Sequence, residues 1–315
     1  MRVASLLPSA TEIVCALGAQ PELVGVSHEC DFPPGVEQLP VLTRTRKTLP
    51  RASGAIHRAV LEILRDALTV YELDTAKLRE TAPQLIVTQD LCDVCAVSLD
   101  DVRKALAELA QEDVAIVSLK PTLLADVWND VRRVGRALGR PERGEAVARA
   151  LEQRVAAIGA RAARLPRRPS VVTIEWLDPV MVGGTWMPEL VALAGGTPLV
   201  TKPGEHAPTL KLEELARLTP DVVLIKPCGF DLERTSSELA LLKTMLPWSS
   251  WPAVRAGRVF VADGNAFFKR SCPRLVESLE ILAACVHPEE FGEFARAHAA
   301  SMRRVDADLE LAPAI

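Results

Sequence analysis

Short runs of apolar, β-branched residues alternate with helical patterns along most of the chain, and this alternation constrains the fold most strongly. The runs predict strands at Val3–Leu7, Leu23–His28, Leu85–Gln89, Val114–Leu119, Val171–Glu175, Val222–Lys226 and Val259–Ala262. Apolar residues at spacings of three and four predict helices at Ala10–Leu17, Ile56–Leu68, Leu99–Leu109, Leu123–Leu138, Pro188–Ala194, Leu232–Leu246 and Pro273–Val286. Because strand and helix alternate, the sequence predicts an α/β protein with parallel sheets built from βαβ units.

The length and one long helical pattern predict two domains. A chain of 315 residues suits two domains better than one. A helical pattern runs from Pro141 to about Leu165, where Pro166 and Pro169 end it. Such a helix is about 37 Å long, enough to link two lobes. We therefore predict an N-terminal lobe, a linking helix, a second lobe and a C-terminal helix with a tail, at residues 1–140, 141–166, 167–287 and 288–315.

The two predicted lobes contain similar segments. Glu12–Gly18 resembles Glu189–Gly195, and Leu78–Val87 resembles Leu215–Leu224. Internal similarity of this kind indicates two related α/β lobes. Two such lobes on one helix would face each other across a cleft, which is the usual place for a ligand.

Charge and hydropathy exclude several partners. The 37 Lys and Arg residues against 41 Asp and Glu give a net charge of −4, so we expect no nucleic-acid partner. Arginines are dense along the linking helix, and without interleaved aromatic residues they are typical of a solvated connector. No apolar run reaches the roughly 18 residues that span a bilayer. No secretory leader pattern precedes Val3, so we expect a cytoplasmic protein.

Four of the seven cysteines follow predicted strands, where ligands bind in α/β proteins. Cys30, Cys92 and Cys95 lie in the first lobe and Cys228 in the second. With His28 they offer a Cys₃His or Cys₄ set that suits Zn²⁺ or an iron–sulfur cluster. Two alternatives stay open: small apolar residues of a cleft wall, and a redox-active dithiol.

The remaining cysteines carry weaker signals. Cys15 and Cys285 lie on apolar helix faces and are expected in the core. Cys272 precedes Pro273, a suitable first helical residue, so Cys272 is a candidate N-cap facing the cleft.

Aromatic residues are few, and several follow predicted strands of the second lobe: Trp176, Trp186, Phe230 and Phe267. Flat side chains around a cleft suit a planar ligand such as a tetrapyrrole, and packing between loops is the alternative. The common motifs of dinucleotide, P-loop, zincin and hydrolase sites are absent from the sequence. An enzyme acting on a tetrapyrrole would need a base, for which Glu29, Asp90 and Glu175 are candidates.

Four motifs resemble the helical-backbone (class III) substrate-binding protein family: Ser5–Glu12, Leu23–Ser27, Pro83–Val87 and Pro220–Leu224. Gln89–Cys95 and Lys226–Phe230 are similar to segments of its cobalamin-binding subgroup. The resemblance implies two Rossmann-like lobes joined by one rigid helix, with the ligand held between them. Because no export signal is recognised, we do not expect contact with an ABC transporter.

These observations favour a cytoplasmic, non-catalytic protein that holds a corrinoid such as cobalamin, or a related metal chelate, between its lobes. We expect ligand contacts from Pro8, Ser9, Asp90, Glu175, Trp176, Trp186, Phe230 and Phe267. One alternative is direct binding of Zn²⁺ or an iron–sulfur cluster through His28, Cys30, Cys92, Cys95 and Cys228. A second alternative is an enzyme that modifies a tetrapyrrole or inserts a metal into it.

Overall fold

The protein is an α/β chain of two compact units, as the alternating pattern predicts. The computed structural model describes residues 1–66, 70–89, 99–108, 113–245 and 248–313. Unit 1 comprises Met1–Arg51, Ala55–Pro121 and Ala125–Leu151, and unit 2 comprises Ala52–Gly54, Thr122–Leu124 and Glu152–Ile315. Within the described residues, no helix is both long and apolar enough to cross a membrane.

Unit 1 is built on a short parallel sheet. Its strands are β1 (Val3–Ser5), β2 (Leu23–Val26), β3 (Thr43–Thr45), β4 (Tyr71–Leu73), β5 (Leu85–Gln89) and β6 (Ala115–Leu119). Its helices are α1 (Pro8–Ala16), α2 (Ser53–Asp66), α3 (Thr75–Thr81), α4 (Leu99–Glu108), α5 (Leu124–Ala137) and the first part of α6 (Pro141–Ala162).

Four of these strands pair in the order β2-β1-β5-β6, all parallel, and β3 pairs with β4 in a separate antiparallel ribbon. The inner strands β1 and β5 are buried along their whole length, because helices cover both faces of a parallel sheet. β1 ends at Ser5, two residues earlier than predicted, since Pro8 already begins α1.

Unit 2 contains the remaining elements. Its strands are β7 (Ser170–Trp176), β8 (Met181–Val182), β9 (Thr197–Pro198), β10 (Val222–Ile225), β11 (Val259–Ala262), β12 (Met302–Val305) and β13 (Leu311–Ala312). Its helices are the rest of α6 with α7 (Met187–Leu193), α8 (Leu212–Ala216), α9 (Leu232–Met245), α10 (Pro252–Arg255), α11 (Leu275–Val286) and α12 (Gly292–Ala297).

The described residues of unit 2 form a mixed sheet rather than the purely parallel sheet that we predict. The strand order is β13-β12-β11-β10-β7-β8, and β9 pairs with β7. β7, β10 and β11 are parallel, whereas β8 and β12 run antiparallel to their neighbours. The parallel strands supply the core: Val222–Ile225 is fully buried, as is Val259–Ala262. All seven predicted strands are confirmed.

The C-terminal region differs from the expected helix and tail. After the short helix α12, the chain adds β12 and β13 as an antiparallel extension of the sheet. Met302 and Val305 are buried while Arg303 and Arg304 between them are more accessible. Because the two arginines interrupt the apolar residues of this segment, the sequence pattern does not predict this strand.

The long helix α6 ends at Ala162, slightly before the predicted end, and its arginines are largely paired. The Arg154 guanidinium forms an ion pair with Glu280 of α11 at 2.8 Å, and Arg161 forms one with Glu290 at 2.6 Å. Glu280 also lies 2.8 Å from the imidazole Nε2 of His298. The second part of α6 is therefore tied to the end of unit 2 by side-chain ion pairs.

The first residues of α2 belong to unit 2, where carboxylates surround them. The backbone N–H of Ser53 donates to Glu238 of α9 at 3.0 Å, and the Ser53 hydroxyl donates to the same carboxylate. A side chain at Gly54 would collide with the Asp178 carboxylate. Glu189 of α7 similarly accepts the N–H of Leu124, the first residue of α5, at 2.8 Å. Both helix starts thus have acidic partners that complement the helix dipole.

Asp130 on α5 is a buried acid in unit 1. Its side chain is 6% exposed, one carboxylate oxygen accepts from Arg133 at 2.6 Å, and the other has no hydrogen-bond partner. Burial raises the pKa of Asp130 from 3.8 to about 6, and the Arg133 guanidinium offsets part of that rise. Because the pKa is higher in the folded state, Asp130 favours folding at low pH, and this contribution is lost as the pH rises through 6.

We predict that Asp130→Asn is stabilising at pH 7.5 and less so at pH 5. The gain in the free energy of unfolding should be about 1 kcal/mol larger at the higher pH, because one pKa unit corresponds to about 1.4 kcal/mol. Urea unfolding at both pH values measures this difference. Asp113→Asn, at an exposed site, is the control and should show no pH-dependent gain. Equal effects of Asp130→Asn at pH 5 and 7.5 would contradict the assignment.

Candidate ligand-binding site

The carboxyl edge of the unit 2 sheet carries a buried ion pair. Glu175 lies near the end of β7, and Lys226 follows β10, which is the neighbouring parallel strand. The Lys226 ammonium lies 2.9 Å from the Glu175 carboxylate, and the Lys226 side chain is only 1% exposed. A charge this deeply buried is costly unless it is paired. The pair therefore holds the Glu175 carboxylate in place at the strand ends.

A tight turn at Pro227–Phe230 continues from β10 across this edge. The N–H of Phe230 donates to the Pro227 carbonyl at 3.1 Å, and the N–H of Cys228 donates to the Glu175 carbonyl at 3.0 Å. Gly229 has a φ of +78°, which glycine adopts without strain. A side chain at Gly264, after β11, would collide with the Pro227 carbonyl. The turn is thus fixed against both neighbouring strand ends.

Two of the predicted aromatic residues meet beside this turn. The rings of Trp176 and Phe230 lie edge to face with centroids 5.4 Å apart. The Trp176 indole N–H donates to the Asp178 carbonyl at 3.0 Å, and the residue stays half-buried. The guanidinium of Arg234 lies 3.7 Å from the centroid of the Phe230 ring. Glu175, Trp176, Cys228 and Phe230 are therefore neighbours at one edge, where Phe230 is buried and the other three residues are partly accessible.

The other two predicted aromatic residues differ in accessibility. Trp186 is buried and its indole N–H donates to the Phe268 carbonyl at 2.9 Å, which is typical of loop packing. Phe267 is half-buried, with the Arg274 guanidinium 5.6 Å and the His298 ring 6.0 Å from its centroid. Of these two, Phe267 has the more accessible ring.

The predicted residues of unit 1 take part in hydroxyl networks. Pro8 and Ser9 are buried at the start of α1. The Cys30 sulfur lies 3.1 Å from the Thr11 hydroxyl, which donates to Ser5 Oγ at 2.7 Å. These side chains hold the loop after β2 against α1.

His28 and Glu29 are also engaged in unit 1. The Nδ1 atom of His28 lies 2.7 Å from the Thr43 hydroxyl, and the Tyr71 hydroxyl donates to Glu29 at 2.9 Å. Cys30 lies in unit 1 and Cys228 in unit 2. Asp90, Cys92 and Cys95 lie outside the described residues. Among the residues that the structure describes, no three His, Cys, Asp or Glu side chains form a group that could hold a metal ion.

The remaining cysteines, Cys15, Cys272 and Cys285, lie away from the Pro227–Phe230 turn in the sequence and pack inside the two units. Burial raises the pKa of Cys15 to about 12, and it raises the pKa of the fully buried Cys285 well above its ordinary value. The prediction that Cys272 caps a helix is wrong, because α11 begins at Leu275 with Arg274 as its N-cap. Pro273 lies before the helix in a bend, and Cys272 is buried.

Sequence reasoning missed the cations around this edge. Lys226 directly follows the apolar run Val222–Ile225. A charged residue at the end of a buried strand was the feature of the sequence that could have identified it as a site residue. Arg234 lies one turn into α9, and Lys269 lies in the loop after β11. Their contacts with Phe230 and Gly229 depend on the turn geometry, which the sequence does not specify.

Comparison with known proteins identifies relatives over nearly the whole chain. A family model described as periplasmic binding protein matches residues 3–266. The vitamin B12-binding protein of Vibrio cholerae is 22% identical over 284 residues, covering 89% of this chain and 86% of that protein.

Solved structures share the fold. A periplasmic heme-binding protein from Pseudomonas aeruginosa has a TM-score of 0.68 at 23% identity, covering 91% of this chain and 93% of that one. The periplasmic vitamin B12-binding protein of Vibrio cholerae has a TM-score of 0.63 at 18% identity, covering 90% of this chain and 96% of that one.

We predict that Glu175→Gln destabilises the protein by about 3 kcal/mol or more, because it leaves the Lys226 ammonium buried without a counter-charge. Lys226→Met in the same chain removes that charge, so the double variant should recover at least half of the loss. Chemical denaturation of the four proteins gives the coupling free energy. A double variant as unstable as the sum of the two single variants would show that the pair is not coupled.

Proposed function

This chain belongs to the periplasmic binding protein family, and from that premise we propose that it binds a tetrapyrrole, with a corrinoid as the leading candidate. A family model that spans residues 3–266 identifies it as a solute-binding protein of that family. The observation that carries the ligand proposal is the half-buried Trp176 ring beside Phe230 at the strand ends of unit 2. Phe230 is itself only 1% exposed, so the Trp176 ring, supported by Phe230, is the surface that suits the flat apolar face of a macrocycle.

The preference for a corrinoid is supported by relatives of known name. The curated proteins that this chain resembles are vitamin B12-binding proteins. In unit 2, Glu175 offers a carboxylate that can accept N–H bonds, and the side-chain amides of a corrinoid are such donors.

Haem is the second candidate. A heme-binding protein is among the structures with the same fold. Arg234 and Lys269 place positive charge beside the aromatic pair, where the carboxylates of haem would be favoured. Direct binding of a metal ion or cluster gains no support from the described residues, among which no three His, Cys, Asp or Glu side chains form a group that could hold a metal ion.

We expect the purified full chain to bind cyanocobalamin or hemin with one-to-one stoichiometry. A macrocycle that moves from water into a partly apolar site should change its visible absorption, and equilibrium dialysis gives the dissociation constant independently. Trp176→Ser should weaken binding by about tenfold or more, because burying an aromatic side chain contributes roughly 1.5 to 3 kcal/mol. Trp176→Phe keeps a ring at the same position and should retain most of the affinity.

Two results would count against this function. If neither macrocycle binds the wild-type chain at high micromolar concentration, the tetrapyrrole proposal is wrong. If a macrocycle binds but Trp176→Ser leaves the dissociation constant unchanged, the ligand does not use this edge of unit 2.

A further inference from the structure

We propose that the Pro227–Phe230 turn, flanked by Lys269 and Arg234, is a subsite for an anionic substituent of the ligand, either a carboxylate or a phosphate. This inference rests on the proposed function and adds the charge of the ligand that this edge of unit 2 selects. Three observations support it: the position of Lys269, the support of Arg234 by an aromatic ring, and the engagement of the nearby acids.

Lys269 places an ammonium group over the turn. Its Nζ atom lies 3.5 Å from the point where a side chain at Gly229 would begin, an ordinary van der Waals distance, so the ammonium lies directly beside the turn. Lys269 is half-buried. It forms no ion pair within 4.0 Å among the residues that the structure describes. Its charge is therefore available to a group that approaches the turn.

Arg234, in the first turn of α9, provides a second cation beside the Pro227–Phe230 turn. Its guanidinium lies 3.7 Å from the centre of the Phe230 ring, and Arg234 is half-buried. Stacking on a ring orients the guanidinium plane. A guanidinium oriented in this way can donate two parallel bonds to a carboxylate or phosphate.

The acidic groups around the turn are engaged elsewhere. Glu175 is paired with the buried Lys226 at 2.9 Å. Asp263 accepts the N–H groups of Asn265 and Ala266, and Asp231 accepts the N–H of Arg234 at 2.8 Å. Asp231 and Asp263 keep their negative charges, but neither they nor Glu175 forms an ion pair with Lys269. The Lys269 ammonium therefore stays open to an anionic group of the ligand.

The anionic group could come from either candidate ligand. Haem carries carboxylates at its edge. A complete corrinoid such as cyanocobalamin carries one phosphodiester in its nucleotide loop, and dicyanocobinamide has the same ring without that loop. A comparison of these three compounds therefore separates a carboxylate from a phosphate, and separates both from recognition of the ring alone.

The test measures dissociation constants of hemin, cyanocobalamin and dicyanocobinamide by absorbance titration. Wild type should bind cyanocobalamin more tightly than dicyanocobinamide if the group is a phosphate. Lys269→Met should raise the dissociation constant of the anionic ligand about tenfold and leave that of dicyanocobinamide unchanged, because only the charge-assisted bond is lost. Lys269→Arg should stay within about twofold of wild type, since the cation is retained. Lys243→Met, at an exposed position of α9, is the matched control and should change nothing.

The outcomes separate this inference from the function on which it rests. A selective loss of cyanocobalamin binding in Lys269→Met assigns a phosphate, and a selective loss of hemin binding assigns a carboxylate. Unchanged affinity for both anionic compounds in Lys269→Met and in Arg234→Met, with wild type still binding them, overturns the subsite alone. The subsite is also overturned if Lys269→Met loses as much affinity for dicyanocobinamide as for the anionic compounds. If wild type binds none of the three compounds, the proposed function fails and the subsite fails with it.

Discussion

The buried contact between Lys226 and Glu175 sets the geometry of the candidate site. Lys226 directly follows β10 and is almost completely shielded from water, so its ammonium requires the carboxylate at the end of β7. That requirement ties the carboxyl ends of two parallel strands together. The turn that follows Lys226 is then fixed by its own hydrogen bonds and by the close approach of Gly264. Trp176, Phe230 and Arg234 take their positions from this frame.

Unit 1 uses different chemistry at the ends of its strands. Hydroxyl groups of Ser5, Thr11 and Thr43 surround Cys30 and His28, so the two strongest metal-ligand candidates outside the Cys92–Cys95 segment have hydroxyl partners. Cys15 and Cys285 are not metal-ligand candidates either. Burial raises the pKa of both thiols, so they stay protonated and serve as packing residues. The described residues therefore favour a site that binds through rings and charges.

The sequence was sufficient for the fold class, and the elements that it failed to predict have physical causes. β11 is an uninterrupted apolar run and β5 begins with one at Leu85–Val87, and the bounds of both strands match the prediction. β12 was missed because two arginines interrupt its apolar residues. Glu175, Trp176 and Phe230 lie together at one edge of the unit 2 sheet, and their contact with a ligand stays a prediction. Contacts between distant residues, such as Glu238 with Ser53, have no signature in a local pattern. The same holds for the stacking of Arg234, which depends on the turn at Gly229.

We propose that the ligand binds at the carboxyl edge of the unit 2 sheet. Hydrogen–deuterium exchange of the full chain, with and without saturating cyanocobalamin or hemin, tests this claim most directly. We expect slower exchange in the peptide containing Pro227–Phe230 and in the peptide containing the end of β7, with little change in β12 and β13. Binding of either macrocycle without any protection of these two peptides would contradict the account.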